Sequence, residues 1–264
     1  MTKEGGPRDE ERPGIEQIVR YGWAAESIGG GRVLDAACGV GWGTSVLATV
    51  AEAAIGVDFS RPTVEEARRV HGDRGRFVEG NLQRLPFDAG HFDHVVCFEA
   101  LAQVEDAEAV LEELCRVLCP DGLLFVSAPN PIVYPAGNPL QLSEIGLERL
   151  ERALRARFAN VAVHGEQLHF VSLLGDAELM LQDDPGITLY PRMRKSVGCA
   201  LGDALHAVAV ASNGELPPSP ARLALAEVVD CEGQQRLLES WQERAIEAEA
   251  EAFVLKRQLR RLQR

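Results

Sequence analysis

The chain has 264 residues, 46% hydrophobic and 25% charged, with a formal net charge of −13. That length accommodates one full α/β core with an appendage, and no apolar run approaches the roughly 20 residues that a bilayer-spanning helix needs. Residues 221–264 are charge-balanced, so the deficit falls on the main domain, whose acidity argues against a nucleic-acid partner.

Residues 1–14 are polar, charged and Pro/Gly-containing without an apolar signal core, and are expected to be a disordered leader. A cytoplasmic protein is the expectation. Helical spacing from Ile15 to Ile28 ends in Gly29-Gly-Gly31, a stop before the first strand. Strand Val33 to Ala36, helix Thr44 to Ala51, strand Ala53 to Val57, helix Arg61 to His71 and strand Arg76 to Glu79 then alternate. This rhythm predicts a doubly wound, mostly parallel sheet. Ser60 is the expected N-cap of the second of these helices, with Pro62 in its first turn.

The corner between the first strand and its helix carries the chemistry. Arg32-Val-Leu-Asp-Ala-Ala-Cys-Gly-Val-Gly-Trp-Gly43 places glycines at alternate positions, where a Cβ would obstruct a tight turn and a ligand's approach to backbone amides. Asp58 at the next strand tip can accept both hydrogen bonds of a ribose diol. Adenosine is the implied ligand. The spacing is G-x-G-x-G rather than the dinucleotide G-x-G-x-x-G, and Asp35 stands four residues before the first glycine. An anion there repels a pyrophosphate but suits an α-ammonium.

Farther on, Leu85-Pro-Phe-Asp-Ala-Gly-His-Phe-Asp93 is a turn-rich loop entering the apolar strand Asp93 to Phe98. Glu105 to Leu118 reads as an amphipathic helix closed by a turn at Pro120-Asp-Gly122, and Leu123 to Ser127 as the next strand. Arg149 to Arg157 is helical, and Phe158 to His164 and His206 to Ala211 are the last strands. Between them 165–203 reads as a lid insertion; 212–220, with three prolines, as a linker. From Leu238 through Trp241, Ala245, Ala248, Ala252, Leu255, Leu259 and Leu262, a 3-4 spacing marks a heptad seam within a helical extension, 221–264. It suits a contact with another chain, although a helix folded back on its own domain fits too. Cysteines 38, 97, 115, 119, 199 and 231 contain no C-x-x-C pair, and no metal site or disulfide framework is expected.

These segments resemble the class I S-adenosylmethionine-dependent methyltransferases, whose first motif reads D-x-G-C-G-x-G; here Ala37 stands where that motif commonly has glycine. Leu85 to Val95 and Leu111 to Gly122 match the family's L-P-F-x-x-x-x-F-D-x-V and L-x-E-x-x-R-V-L-x-P-G-G, with Asp121 replacing one glycine. The resemblance covers about 30–211 and implies a Rossmann-like seven-stranded sheet and S-adenosylmethionine as cofactor. It places Asp35 near the methionine ammonium, Gly39 and Gly41 against the methionine and ribose, and Asp58 on the ribose. Phe59 would pack on adenine, Asn81 would meet its amino group, and Leu82 would add a backbone contact. Phe98 and Glu99 would face the donor's methionine end and the acceptor.

The segment 127–144 is similar to bacterial methyltransferases associated with glycan and cell-envelope sugars, which commonly carry histidines where Gln103 and Gln141 stand. With both absent, Glu99 and His169 are the candidate catalytic residues, and Tyr134, Asn138, Gln141 and Glu144 the candidate acceptor ligands. The expected reaction is methyl transfer to an oxygen of a sugar, glycan or other small polar metabolite. The expected partner is a second copy or a glycosyltransferase, engaged through the C-terminal helix. A non-catalytic donor-binding scaffold and a nucleotide-dependent oxidoreductase are the rival readings.

Overall fold

The structure is a computed structural model that describes residues 14–130, 145–167 and 204–219. Its elements, in chain order, are α1 (Ile15–Ser27), β1 (Arg32–Ala36), α2 (Trp42–Leu47), β2 (Ala53–Asp58), α3 (Arg61–His71), β3 (Arg76–Glu79), β4 (Phe92–Cys97), a 3-10 turn (Ala100–Gln103), α4 (Ala107–Val117), β5 (Leu118–Pro129), α5 (Leu147–Arg155), β6 (Asn160–Glu166) and β7 (His206–Ser212). One sheet of seven strands runs β3-β2-β1-β4-β5-β7-β6. β7 is antiparallel to both neighbours and the other pairs are parallel. The strand order reverses beside β1, so the tips of β1, β2 and β4 open a crevice of the kind that binds ligands in such sheets.

Strict alternation along the strands divides the core. Val33, Val96, Phe125 and Val208 pack with Trp23 and Ala24 of α1 and with Ile28 just after it. Their neighbours Leu34, Val95, Leu124 and Ala207 pack with Val110, Leu111 and Leu114 of α4 and Leu150 and Leu154 of α5. Both faces are covered, which is why the central strands are continuous apolar runs. Trp23 meets Phe125 edge to face, with centroids 5.2 Å apart.

The structure moves several expected boundaries. The turn at Pro120–Gly122 lies inside β5, because Phe92 pairs with Leu118 and His94 next pairs with Leu123. The intervening residues bulge, and Gly122 is needed there because a Cβ would lie 2.6 Å from the Asp93 carbonyl. Ser60 is the N-cap of α3 by backbone position, but its side chain caps no amide and accepts instead from the Thr63 hydroxyl at 2.7 Å. α4 is capped by Asp106, whose carboxylate accepts from the Ala109 amide at 3.0 Å. β6 runs through Gly165 and Glu166, two positions into the expected lid. The leader, most of the lid, and the helical extension lie outside the described residues. Among the described residues no helix is long and apolar enough to cross a membrane.

Candidate active site

The glycine corner is pinned from both sides. The amides of Ala37 and Cys38 both donate to the Val57 carbonyl, at 2.8 and 3.0 Å, which ties the loop after β1 to the tip of β2. Ala37 has φ +67°, so the position that the resembled motif fills with glycine is in the left-handed region here as well. Alanine pays a steric cost for that conformation of about 1–2 kcal/mol. Gly41, at φ +88°, begins α2, and a Cβ on it would lie 2.6 Å from the Phe77 ring. Around Gly39 the space is open, with no atom within 4 Å of where a Cβ would be. A ligand can therefore approach the loop backbone at Gly39, while Gly41 allows the chain to turn away into the helix.

Asp58 and Asp35 divide the work of this corner. Asp58 accepts from the Gly39 amide at 3.1 Å through Oδ2 and from the Ser60 amide at 2.9 Å through Oδ1. Each carboxylate oxygen retains a further lone pair, so a diol can still be bound. Asp35 is fully buried, and its oxygens accept from the Tyr21 hydroxyl at 2.9 Å and the Thr44 hydroxyl at 2.6 Å. Burial pushes its pKa up to about 6, against the pull of the two hydroxyls, and the nearby Asp58 charge adds to the rise. In this arrangement Asp35 fixes α1, through Tyr21, and α2, through Thr44, to the glycine loop.

The residues beyond the tips of β2 and β3 are different in character. Phe59 is 80% exposed, an apolar ring displayed beside Asp58 rather than packed in the core. Asn81 is exposed just past β3, and its Oδ1 accepts from the Gln83 amide at 2.9 Å. The Leu82 side chain is buried in the core. Phe98 is buried edge-on against Tyr21 with centroids 5.1 Å apart, next to the pairing that holds Asp35.

Beside this corner, Arg20, Glu166 and His206, which the sequence pattern did not single out, gather around Glu99. Arg20 of α1, 1% exposed, reaches Glu99 Oε1 at 2.5 Å, Glu166 Oε2 at 2.5 Å and the Ser127 hydroxyl at 3.3 Å. Burial alone would lower its pKa, but the two carboxylates outweigh that and hold it above the ordinary value. Glu166 is raised by burial against the pull of Arg20. His206, at the start of β7, has Nδ1 3.4 Å from Glu166 Oε2 and Nε2 3.9 Å from Glu99 Oε1. Burial and the Arg20 charge push it down to about 4, with Glu99 opposing. Glu99 itself has φ +63°, and its amide donates to the Ser127 hydroxyl at 2.9 Å. A left-handed glutamate at a strand tip is the kind of local strain found at functional sites.

The structure thus brings Asp35, Gly39, Gly41, Asp58, Phe98 and Glu99 to one edge of the sheet, with Phe59 and Asn81 displayed beside it. His169, Tyr134, Asn138, Gln141 and Glu144 lie outside the described residues. Gln103 is exposed at the end of the 3-10 turn. One signal for Arg20 was present in the sequence: it stands four residues before Ala24 and eight before Ile28, on the stripe of α1 that faces the sheet. Nothing in the local sequence marks Glu166 or His206, which meet only across the β6–β7 ladder.

Comparison with known proteins agrees with this geometry. A family model described as a methyltransferase domain matches residues 34–126. A ubiquinone biosynthesis O-methyltransferase of Xanthomonas oryzae is 30% identical over 176 residues, 65% of this chain and 72% of that protein. A probable S-adenosylmethionine-dependent methyltransferase of Mycolicibacterium smegmatis is 34% identical over 141 residues, 52% of this chain and 54% of that protein. The chain spans about half the length of the curated relatives that it matches at this level. The crystal structure of YcgJ from Bacillus subtilis superposes with a TM-score of 0.53 at 20% identity, over 74% of this chain and 98% of that one, which shows the shared fold. The chain belongs to the class I S-adenosylmethionine-dependent methyltransferases.

Proposed function

We propose that the enzyme transfers a methyl group to an oxygen of a small hydroxylated molecule, a sugar or glycan hydroxyl being the acceptor that the sequence favours. The observation that carries this reading is Glu99, 37% exposed by its side chain at the tip of β4, backed by partly buried Glu166 and by His206. Carboxylates with an imidazole beside the donor corner receive hydrogen-bond donors and repel anions. The O-methyltransferase name of the Xanthomonas relative supports oxygen as the receiving atom.

The residues present fit S-adenosylmethionine. Open space at Gly39, an exposed ring at Phe59 and the spare lone pairs of Asp58 are what its ribose and adenine would use. In the proposed arrangement Asp58 holds the ribose, Phe59 covers adenine, and Asn81 and the Leu82 backbone meet the adenine edge. Gly39, Gly41, Phe98 and the Asp35–Tyr21 pair surround the methionine part. The bound cofactor supplies a methyl group on a sulfonium, whose departure leaves a neutral thioether. The chain's own contribution is alignment, exclusion of water and a destination for the acceptor's proton.

The same proposal extends to the rest of the chain. Residues 15–211 form the catalytic domain, 165–203 a lid, and 212–220 a linker to the helical extension. That extension supports a homodimer or a glycosyltransferase contact. Tyr134, Asn138, Gln141 and Glu144 line the acceptor, with His169 as a second candidate base, in a cytoplasmic enzyme. Incubation with S-adenosylmethionine and a panel of sugars, nucleotide sugars, catechols and amines, read by mass spectrometry, tests the reading. Gain of one methyl on oxygen is expected. Methylation confined to nitrogen or carbon overturns it.

A further inference from the structure

We propose that Arg20 and Ser127 are positioning residues that clamp Glu99 from two sides, leaving its second carboxylate oxygen, Oε2, to accept a hydrogen bond from the hydroxyl that is methylated. The proposal rests on the oxygen-acceptor reading above and gives a role to two residues outside the glycine and strand-tip motifs.

The clamp grips both ends of one residue. Val126 of β5 pairs with Cys97 of β4, which brings fully buried Ser127 level with the residues just past the β4 tip. There its hydroxyl accepts from the Glu99 amide at 2.9 Å. At the other end Glu99 Oε1 accepts from Arg20 Nη1 at 2.5 Å, and the same Nη1 donates to the Ser127 hydroxyl at 3.3 Å. Glu99, Arg20 and Ser127 thus close a ring of hydrogen bonds. The left-handed backbone of Glu99, at φ +63°, persists because the ring over-determines it.

What the ring leaves over points to a ligand. Oε2 of Glu99 has no hydrogen-bond partner among the described residues, and the side chain is 37% exposed. A carboxylate in an ion pair only accepts, so Oε2 takes a ligand that brings an O–H or N–H. Nor is Glu99 needed to neutralise Arg20. Glu166 Oε2 already accepts from Nε at 2.8 Å and from Nη2 at 2.5 Å, so the dependence runs from Arg20 to Glu99. Four of the five N–H donors of Arg20 are directed at Glu99, Ser127 and Glu166, which makes it a holder of side chains and not a site for an anion.

With the acceptor's hydroxyl on Oε2, the hydrogen bond aims the oxygen for an in-line displacement. Glu99 touches the acceptor, and Arg20 and Ser127 act through it. Misplacing a reacting group by about 1 Å costs about 10²-fold in rate.

Amide hydrogen exchange in the full chain with S-adenosylhomocysteine reads the clamp. The Glu99 amide should be protected, and Ser127→Ala should speed its exchange about tenfold. An unprotected Glu99 amide in the wild type overturns the proposal. Carbon-13 NMR of the Glu99 carboxyl is the arm that needs no turnover. Its signal should move when catechol or methyl glucoside is titrated in, and a signal unmoved by both overturns the proposal. Kinetics with the same two probes form the third arm, with kcat expressed per donor site counted by S-adenosylhomocysteine titration, so that misfolded protein is not read as slow enzyme. Arg20→Lys keeps the charge without the planar fork and should lower kcat about 10²-fold, with donor affinity unchanged. Glu99→Gln keeps Oε1 for Arg20 but puts an NH2 group where Oε2 was, and should cost at least as much. In that background Arg20→Lys should cost less than about threefold more, because no oriented oxygen is left to lose. Full multiplication of the two losses overturns the positioning role, and so does weakened S-adenosylhomocysteine binding by Arg20→Lys, which would move the residue to the donor site. Transfer to an amine probe but to neither hydroxyl, with the Glu99 amide protected, overturns the oxygen reading and the hydroxyl named here with it.

Discussion

The two halves of the crevice are built in different ways. The glycine corner is local: Asp35 is bonded to Thr44, 9 residues away, and Asp58 to Gly39, 19 away. The cluster around Arg20 is assembled across the whole fold, with Arg20 bonded to Glu166 across 146 residues. A local corner must be specified by backbone conformation, hence by glycines and a strand-tip acid that survive as a motif. A distant cluster is specified by charge balance, which any suitably placed side chains can provide. The first kind of site leaves a motif in the sequence, and the second does not.

The largest effect should come from the distant cluster. Arg20→Met leaves Glu166 buried without its cation, and breaking such a pair costs about 3–5 kcal/mol. Urea unfolding should show that loss, and adding Glu166→Gln should recover part of it. If Arg20→Met alone is neutral, the cluster is not a structural unit. On the donor side, Asp58→Ala removes a charged acceptor from two amides and from the ribose. It should weaken S-adenosylmethionine binding about 10²-fold by calorimetry, and unchanged affinity would remove Asp58 from the donor site.

Acidification separates the halves by sign. Asp35, with its pKa raised to about 6, binds more proton in the folded than in the unfolded state, so its contribution to stability falls as pH rises through the window between its ordinary value and about 6. His206, lowered to about 4, binds more proton when unfolded, so its contribution rises with pH between about 4 and its ordinary value. Asp35→Asn should therefore make the loss of stability on acidification from neutral pH steeper, and His206→Gln should make it shallower. Denaturation midpoints measured across that range check both, and equal slopes in the two variants would refute the assignment.

Smaller effects test the donor corner residue by residue. Phe59→Ala should leave stability unchanged, because the ring is exposed, yet weaken donor binding about tenfold if it stacks on adenine. Ala37→Gly should raise stability by about 1 kcal/mol, since it relieves a left-handed alanine. A destabilised Ala37→Gly protein would mean that the loop is held by the methyl group and not strained by it.

These contrasts also explain what could be read from the chain itself. The alternation of strands and helices, the glycine corner and Asp58 were legible because period-2 and 3.6-residue patterns and positive-φ positions leave local marks. Phe59 was readable as a candidate, but only exposure distinguishes a stacking ring from a core ring. Asp35 was readable as an acid and not as a buried one, because Tyr21, which closes over it, belongs to the preceding helix. Pro120-Asp-Gly122 carries every mark of a turn and is a bulge, since the strand resumes the same pairing after it. Glu166 and His206 leave no local trace, because their meeting depends on β7 running against its neighbours.

That reversed strand has an evolutionary consequence. Glu166 pairs with His206, and the Leu205 amide donates to Gln167 Oε1 at 3.2 Å, so the chain leaves and re-enters the sheet at a single point on the rim of the crevice. A segment inserted between those two residues starts and ends side by side, its two ends held by the ladder. Lengthening such an excursion costs only a logarithm of its size. Natural variation, or a laboratory graft, can exchange the segment wholesale while the glycine corner stays as it was.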